Sequence, residues 1–232
     1  MVEKSSYEII PVNMGMVYAF LLKNKKGKSI IIDCGVPGSS KTILEAMNKA
    51  GIGSKDLELI IITHGHSDHM GSSDALRKAT GAKTLIHKLD SEVIRTGKNP
   101  EMHPGNTIGK VFTHFLGKTV KNFTPYEPEI IFENEMSLKE YGFEGKLIET
   151  PGHTKGSISV ALDDGNIFIG DLINGGMLGK GKPKFPMFAV SLEKTKDSIR
   201  KVLVLSPKML YCGHGGPFSF EELNKFANNF DA

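Results

Sequence analysis

The 232-residue chain has little cysteine, little excess charge and no long apolar run. Cys34 and Cys212 are its two cysteines, too few for a disulfide framework, and a reducing cytoplasm fits them. A net charge of +3, from 29 basic and 26 acidic residues, gives no argument for a nucleic-acid or membrane partner. Apolar stretches such as Leu57 to Ile62 are strand-sized and fall short of a membrane span. The opening residues, MVEKSSYEII, lack the apolar core of a secretory leader. These absences set the expectation of a cytoplasmic protein. Nothing in them bears on oligomeric state.

What is present is ordinary globular material, 39% hydrophobic and 24% charged, and one domain over 1–232 is expected. Strands are predicted at Tyr7 to Val12, Met16 to Leu22 and Lys28 to Asp33, separated by turn residues. Ser39 to Ala50 reads as a helix, with Ser39 or Ser40 as cap and Gly51 as stop. Leu57 to Thr63 reads as a strand buried on both faces, and Ser67 to Thr80 as one helix stopped by Gly81. Thr84 to His87, Lys146 to Thr150, Ser157 to Leu162, Asn166 to Ile169 and Lys208 to Tyr211 are further strands, with a hairpin turn at Asp163-Asp164-Gly165. Ser191 to Leu205 and Phe220 to Phe230 read as helices. Residues 97–128 have no clear period and read as a loop-rich, lid-like segment. Ser29 to Asp33 and Asn166 to Asp171 echo one another, each an apolar strand ending at an Asp, which hints at two similar halves. Strands followed by helices, twice over, suggest two sheets packed face to face with helices outside.

Three of the eight histidines, His64, His66 and His69, fall within six residues, with Asp68 among them. Residues two apart on extended chain point the same way, so His64 and His66 can share a metal. Asp68 and His69 come as the chain turns into a helix and can face a second one. Imidazole and carboxylate suit zinc, manganese or iron. Gly65 fits a crowded turn, and Gly71 a close approach of helix to strand.

The run Thr63-His-Gly-His-Ser-Asp-His-Met-Gly71 resembles the HxHxDH motif of the metallo-β-lactamase superfamily. Thr150-Pro-Gly-His-Thr154 resembles that family's TPGHT segment, Gly170-Asp171 its bridging aspartate, and Gly213-His214-Gly215 its final histidine. The resemblance spans about Val12 to His214. It implies an α/β (α+β) fold, a four-layer αββα sandwich with the metals at one edge between the sheets. Carried over, His64, His66 and His153 would hold one divalent metal, Asp68, His69 and His214 a second, and Asp171 would bridge them. Taken singly, His153 and His214 read as core or surface histidines and Asp171 as a strand-end carboxylate; the complete set changes that reading. The resemblance also implies a metal-dependent hydrolase, with two ions, zinc first and iron or manganese as alternatives. A metal-bridging hydroxide would attack a small ester, thioester or lactone, with Asp68 steering its proton. Two divalent cations against two carboxylates and a hydroxide leave a positive site, suited to an anionic transition state.

The family's substrates differ, so fold alone does not choose among them. True β-lactamases of the family carry Cys where Asp171 stands, which argues against that activity. The glutathione-binding arginine pattern and helical extension of glyoxalase II enzymes are absent, as is a recognisable RNA-gripping arm. An iron-dependent oxidoreductase resembling persulfide dioxygenases is the alternative reading. Asp33 reads equally as an orienting partner for a ligand histidine and as a turn carboxylate. His87 reads as structural; His103 and His114 as surface residues, with substrate contact as the alternative. Lys180, Lys182 and Lys184 would either meet an anionic substrate group or ride a solvated loop, and Phe112, Phe115, Phe123 and Tyr126 would wall a lid or anchor it.

Overall fold

In a computed structural model of the protein, residues 6–101, 103–104, 123–176 and 181–230 are described. His114, Phe112, Phe115, Lys180 and most of the expected lid lie outside them.

The first sheet is built of β1 (Tyr7–Asn13), β2 (Tyr18–Asn24), β3 (Ser29–Ile32), β4 (Leu57–Ile61), β5 (Lys83–His87) and β6 (Ile130–Phe132), in that order. β1 to β3 pair antiparallel and β3 to β6 parallel. Parallel neighbours need crossovers. These are α1 (Ser40–Lys49) between β3 and β4, then α2 (Ser67–Met70) and α3 (Ser73–Thr80) between β4 and β5. α4 (Ser91–Thr96) follows β5. The second sheet holds β7 (Glu135–Ser137), β8 (Gly145–Glu149), β9 (Ile158–Leu162), β10 (Asn166–Phe168), β11 (Met209–Tyr211) and β12 (Phe218–Ser219). α5 (Leu192–Val204) carries the chain from β10 to its parallel neighbour β11, and α6 (Phe220–Ala227) follows β12.

Strand alternation makes the layers. Ile30, Ile32, Leu59 and Ile61 face Leu147, Val160, Leu162 and Phe168 of the other sheet, forming the central core. Ile31, Ile60 and Ile62 point the other way, onto Ile43 and Met47 of α1 and Leu76 of α3. Ile167 and Ile148 likewise meet Ile199 and Val202 of α5. Three cores between four layers give the αββα sandwich. β4 is buried on both faces, and truncating Ile60 to Ala would cost about 2–5 kcal/mol.

The expected helix from Ser67 to Thr80 is two helices. A Cβ on Gly71 would overlap the Ser67 carbonyl and Pro37, so Gly71 admits the 36–40 loop rather than a strand. The Ser72 hydroxyl donates to the Val36 carbonyl (2.6 Å) and accepts from Ser40 N–H (3.2 Å). That diversion breaks the helix and caps α1, a role Ser39 does not perform. Gly81 does stop α3, at φ 82°. β6, β7 and β12 went unpredicted because two or three residues carry no period. Phe123 and Tyr126 anchor their segment to the first outer core, with Tyr126 Oη 3.1 Å from Thr84 Oγ1.

Candidate metal centre

The C-terminal ends of β3, β4, β10 and β11 lie together at one edge of the sandwich. Parallel strands with crossover helices place their following loops on the same side. Asp33 follows β3, His64 and His66 follow β4, Asp171 follows β10 and His214 follows β11. Asp68 and His69 sit on α2. His153, after β8, is brought to the same place. All seven side chains that the motifs singled out meet there.

They form two clusters. His153 Nε2 lies 3.1 Å from His64 Nε2 and 2.9 Å from His66 Nδ1. His214 Nε2 lies 3.3 Å from Asp68 Oδ2 and 3.4 Å from His69 Nε2. Asp171 stands between them, with Oδ1 3.4 Å from His69, and Oδ2 3.4 Å from His214 and 3.7 Å from His153. Within each of the sets His64/His66/His153, His64/His69/Asp171 and Asp68/His69/His214, the donor atoms lie within 4.8 Å of one another.

Four of the five imidazoles are held from behind. His153 Nδ1–H donates to the Phe188 carbonyl (2.7 Å) and His214 Nδ1–H to the Met16 carbonyl (2.6 Å). Thr63 Oγ1 donates to Asp33 Oδ2 (2.8 Å), so it accepts from His64 Nδ1–H (3.0 Å). His69 Nδ1 meets Asp33 Oδ2 at 2.8 Å. Asp33 is thus the orienting partner, aimed by a left-handed backbone (φ 61°) just past β3. Donation from Nδ1 leaves the Nε2 atoms of His64, His153 and His214 facing inward, bare on His64 and His153.

Burial pushes the proton affinity of His64 well down, that of His66 to about 3, and that of His153 down as well. These three nitrogens therefore face one another as neutral lone pairs. In the other cluster burial also opposes charge, but Asp171, Asp33 and Asp68 overcome it and raise His69 to about 9. Asp171 and Asp68 similarly raise His214 against its burial. Burial favours protonation of Asp68 and Asp171, yet the nearby imidazoles hold both carboxyls ionised.

This donor set fits a pair of divalent cations. Asp171 Oδ1 is buried with no hydrogen-bond partner among the described residues, a loss of about 1–3 kcal/mol or more that a cation would offset. Three converging imidazole lone pairs repel unless something positive lies among them. A Cβ on Gly213 would overlap His69 and come 2.6 Å from Asp171 Oδ1, so only glycine fits beside that carboxylate.

A model of the metallo-beta-lactamase superfamily matches residues 12–214. The chain belongs to that superfamily. Membership supports a metal-dependent hydrolase, and the donor cluster accords with that role. Among curated superfamily relatives, the probable metallo-hydrolase YflN of Bacillus subtilis (strain 168) is 29% identical, over 96% of this chain and 90% of that protein. A hydroxyacylglutathione hydrolase of Cereibacter sphaeroides is 29% identical over 85% of this chain, which spans 62% of that protein. The structure of the BLEG-1 B3 metallo-beta-lactamase matches with a TM-score of 0.68 at 20% identity, covering 93% of this chain and 95% of that one. That of a metallo-beta-lactamase family protein from Thermus thermophilus matches with a TM-score of 0.71 at 18% identity, over 97% of this chain and 79% of that one. At such identities these structures speak for the shared superfamily fold alone.

One residue that the motifs do not contain builds the site. Asp90 is buried just before α4 and accepts three hydrogen bonds. Its Oδ2 takes Gly65 N–H (2.8 Å) and Thr154 Oγ1–H (2.6 Å), and its Oδ1 takes Gly156 N–H (2.9 Å). It ties the loop bearing His64 and His66 to the loop bearing His153, across the two sheets. A side chain at Gly65 would press on Asp90 and Val93 at 3.2–3.4 Å. Cys34 and Cys212 are fully buried, and burial pushes both thiols well up. His87 is buried against Glu149 (2.8 Å), a structural pair. His103 is exposed and lines a cavity beside His66 and His153, while Lys182 and Lys184 do not line it. Among the described residues no helix is long and apolar enough to cross a membrane.

Proposed function

We propose that this chain is a dinuclear hydrolase of a small ester, thioester or lactone. His64, His66 and His153 would hold one cation, Asp68, His69 and His214 the other, and Asp171 both. The observation that carries this reading is Asp171, a buried ionised carboxylate within reach of both clusters whose Oδ1 has no hydrogen-bond partner among the described residues. Bound there, two divalent ions would lower the pKa of a water toward neutrality and polarise the substrate carbonyl oxygen.

The chain's own groups supply the rest. The Asp68 side chain is 39% exposed, against 0–12% for those of His69, His153, Asp171 and His214, and its Oδ2 is held by His214. Kept ionised by its imidazole neighbours, it accepts the proton of the attacking water and passes it toward the leaving group. Asp33, Phe188 and Met16 hold the imidazole rings in place, so little reorganisation accompanies reaction. No Ser or Cys nucleophile is required. Zinc is the proposed metal and the cytoplasm the proposed compartment.

Metal analysis of the purified chain, with assays on esters, thioesters and lactones, tests the reading. Two zinc per chain and turnover of one of these classes support it. One iron per chain with oxygen uptake and no hydrolysis would replace it with the dioxygenase alternative.

A further inference from the structure

A cavity of about 210 Å³ lies against the first cluster, with His66 and His153 in its lining. Leu89, Val93, Pro100, Phe188 and Val190 supply its apolar walls. Leu89 and Val190 are 60% and 40% exposed, and both flank this one opening rather than being scattered singly over the surface. Among the described residues the charged groups in its lining, Asp90, Glu101 and Lys155, are of mixed sign and do not make a clamp for an anion.

Both walls are fastened to the metal-facing groups. The Phe188 carbonyl holds His153 Nδ1–H, Val190 N–H donates to the His153 carbonyl (3.2 Å), and Ala189 N–H donates to the His103 carbonyl (2.9 Å). On the other side Asp90, flanked by Leu89 and Val93, is pinned to Gly65, Thr154 and Gly156. The cavity is therefore set by the same hydrogen bonds that position the imidazoles. A cavity of about 150 Å³ lined by apolar side chains holds benzene, so this one has room for somewhat more.

We propose that this cavity takes an apolar arm of the substrate, an aryl ring or a chain of about six to eight carbons by that comparison of volumes. The arm is attached to the carbonyl that is hydrolysed. The inference rests on the hydrolase reading and names the substrate class within it. In the reaction water adds to the carbonyl carbon, the bond to sulfur or oxygen of the leaving group breaks, and the water's proton ends on that group.

The test uses the full chain loaded with two equivalents of zinc and thioesters of one small thiol, from acetyl to octanoyl and phenylacetyl. The expected kcat/KM for octanoyl or phenylacetyl exceeds that for acetyl by about tenfold or more, and exceeds that for a hydroxyacylglutathione. Leu89→Asp and Val190→Asp, on exposed side chains, are expected to keep the zinc content and to cut the octanoyl-to-acetyl ratio about tenfold. Val204→Asp, at the far end of α5, leaves that ratio as it is. A flat chain-length series, or a ratio indifferent to both aspartates, overturns this inference while the hydrolase reading stands. If no thioester, ester or lactone is turned over, the hydrolase reading fails. Calorimetry with octanoate and acetate then judges the cavity alone: tighter octanoate binding supports the arm site, and equal binding overturns it.

Discussion

His64, His66 and His153 meet with no carboxylate of their own, and burial keeps them neutral. Asp68, His69 and His214 meet over a floor of carboxylates, Asp33 and Asp171, that hold protons on the imidazoles. The same residue type is thus prepared in opposite ways a few ångströms apart. The first cluster presents lone pairs to a cation at any pH above the acid range. The second must give up protons before a cation can enter, so uptake there is linked to pH.

The largest expected effect removes the difference altogether. Asp171→Ala deletes the carboxylate common to both clusters. It should lower hydrolysis by more than the roughly 10–100-fold typical of an outer partner and reduce metal content at both, read by turnover and elemental analysis. Wild-type turnover in this variant would remove Asp171 from its proposed place.

Two outer carboxylates sharpen the comparison. Asp90→Ala leaves the Gly65 and Gly156 N–H groups without their acceptor, at about 1–3 kcal/mol each, and turns the Thr154 hydroxyl to Ser157 Oγ alone. The first cluster should then lose metal affinity by roughly 10–100-fold while the second changes less. Asp33→Ala should weaken the second cluster by a similar order, because His69 Nδ1 loses its partner, and the first by less, because His64 is held by Asp33 only through Thr63. Competition titrations on the two variants should show opposite cations weakened; identical losses would mean the clusters are not separable.

The pH dependence comes next. His69 is raised to about 9, so a cation displaces a proton from it at all lower pH values. Apparent affinity at the second cluster should fall about tenfold per displaced proton for each pH unit below 9. His66 is lowered to about 3 and His64 and His153 are lowered by burial as well, so the first cluster should depend on pH much less over the same range. Titrations at pH 6 and 8 that show the same affinities for both ions would contradict this asymmetry. The smallest effect lies outside both clusters. Ser219→Ala removes the capping box of α6 and should cost about 1 kcal/mol in denaturant unfolding, with metal content untouched.

Much of the site was legible because its donors sit in short local runs. His64, His66, Asp68 and His69 crowd onto one strand-to-helix junction, and His153, Asp171 and His214 each follow a readable strand. Asp33 was half legible: its strand was clear, but its contact with His69 spans 36 positions. Asp90 was missed because it lies 25 positions from Gly65 and 64 from Thr154, in a stretch with no motif. Phe188 and Met16 act through backbone carbonyls, which every residue type has.

From its residue pattern alone the chain determined where apolar strands end and which donors stand at those ends. Periodicity and short-range motifs are local properties, so they survive without coordinates. Only the tertiary structure decided which carboxylate faces which imidazole, that one cluster is neutral and the other protonated, and that an apolar cavity adjoins the first. Burial and electrostatic neighbours arise when distant segments pack, and no window of sequence contains both partners.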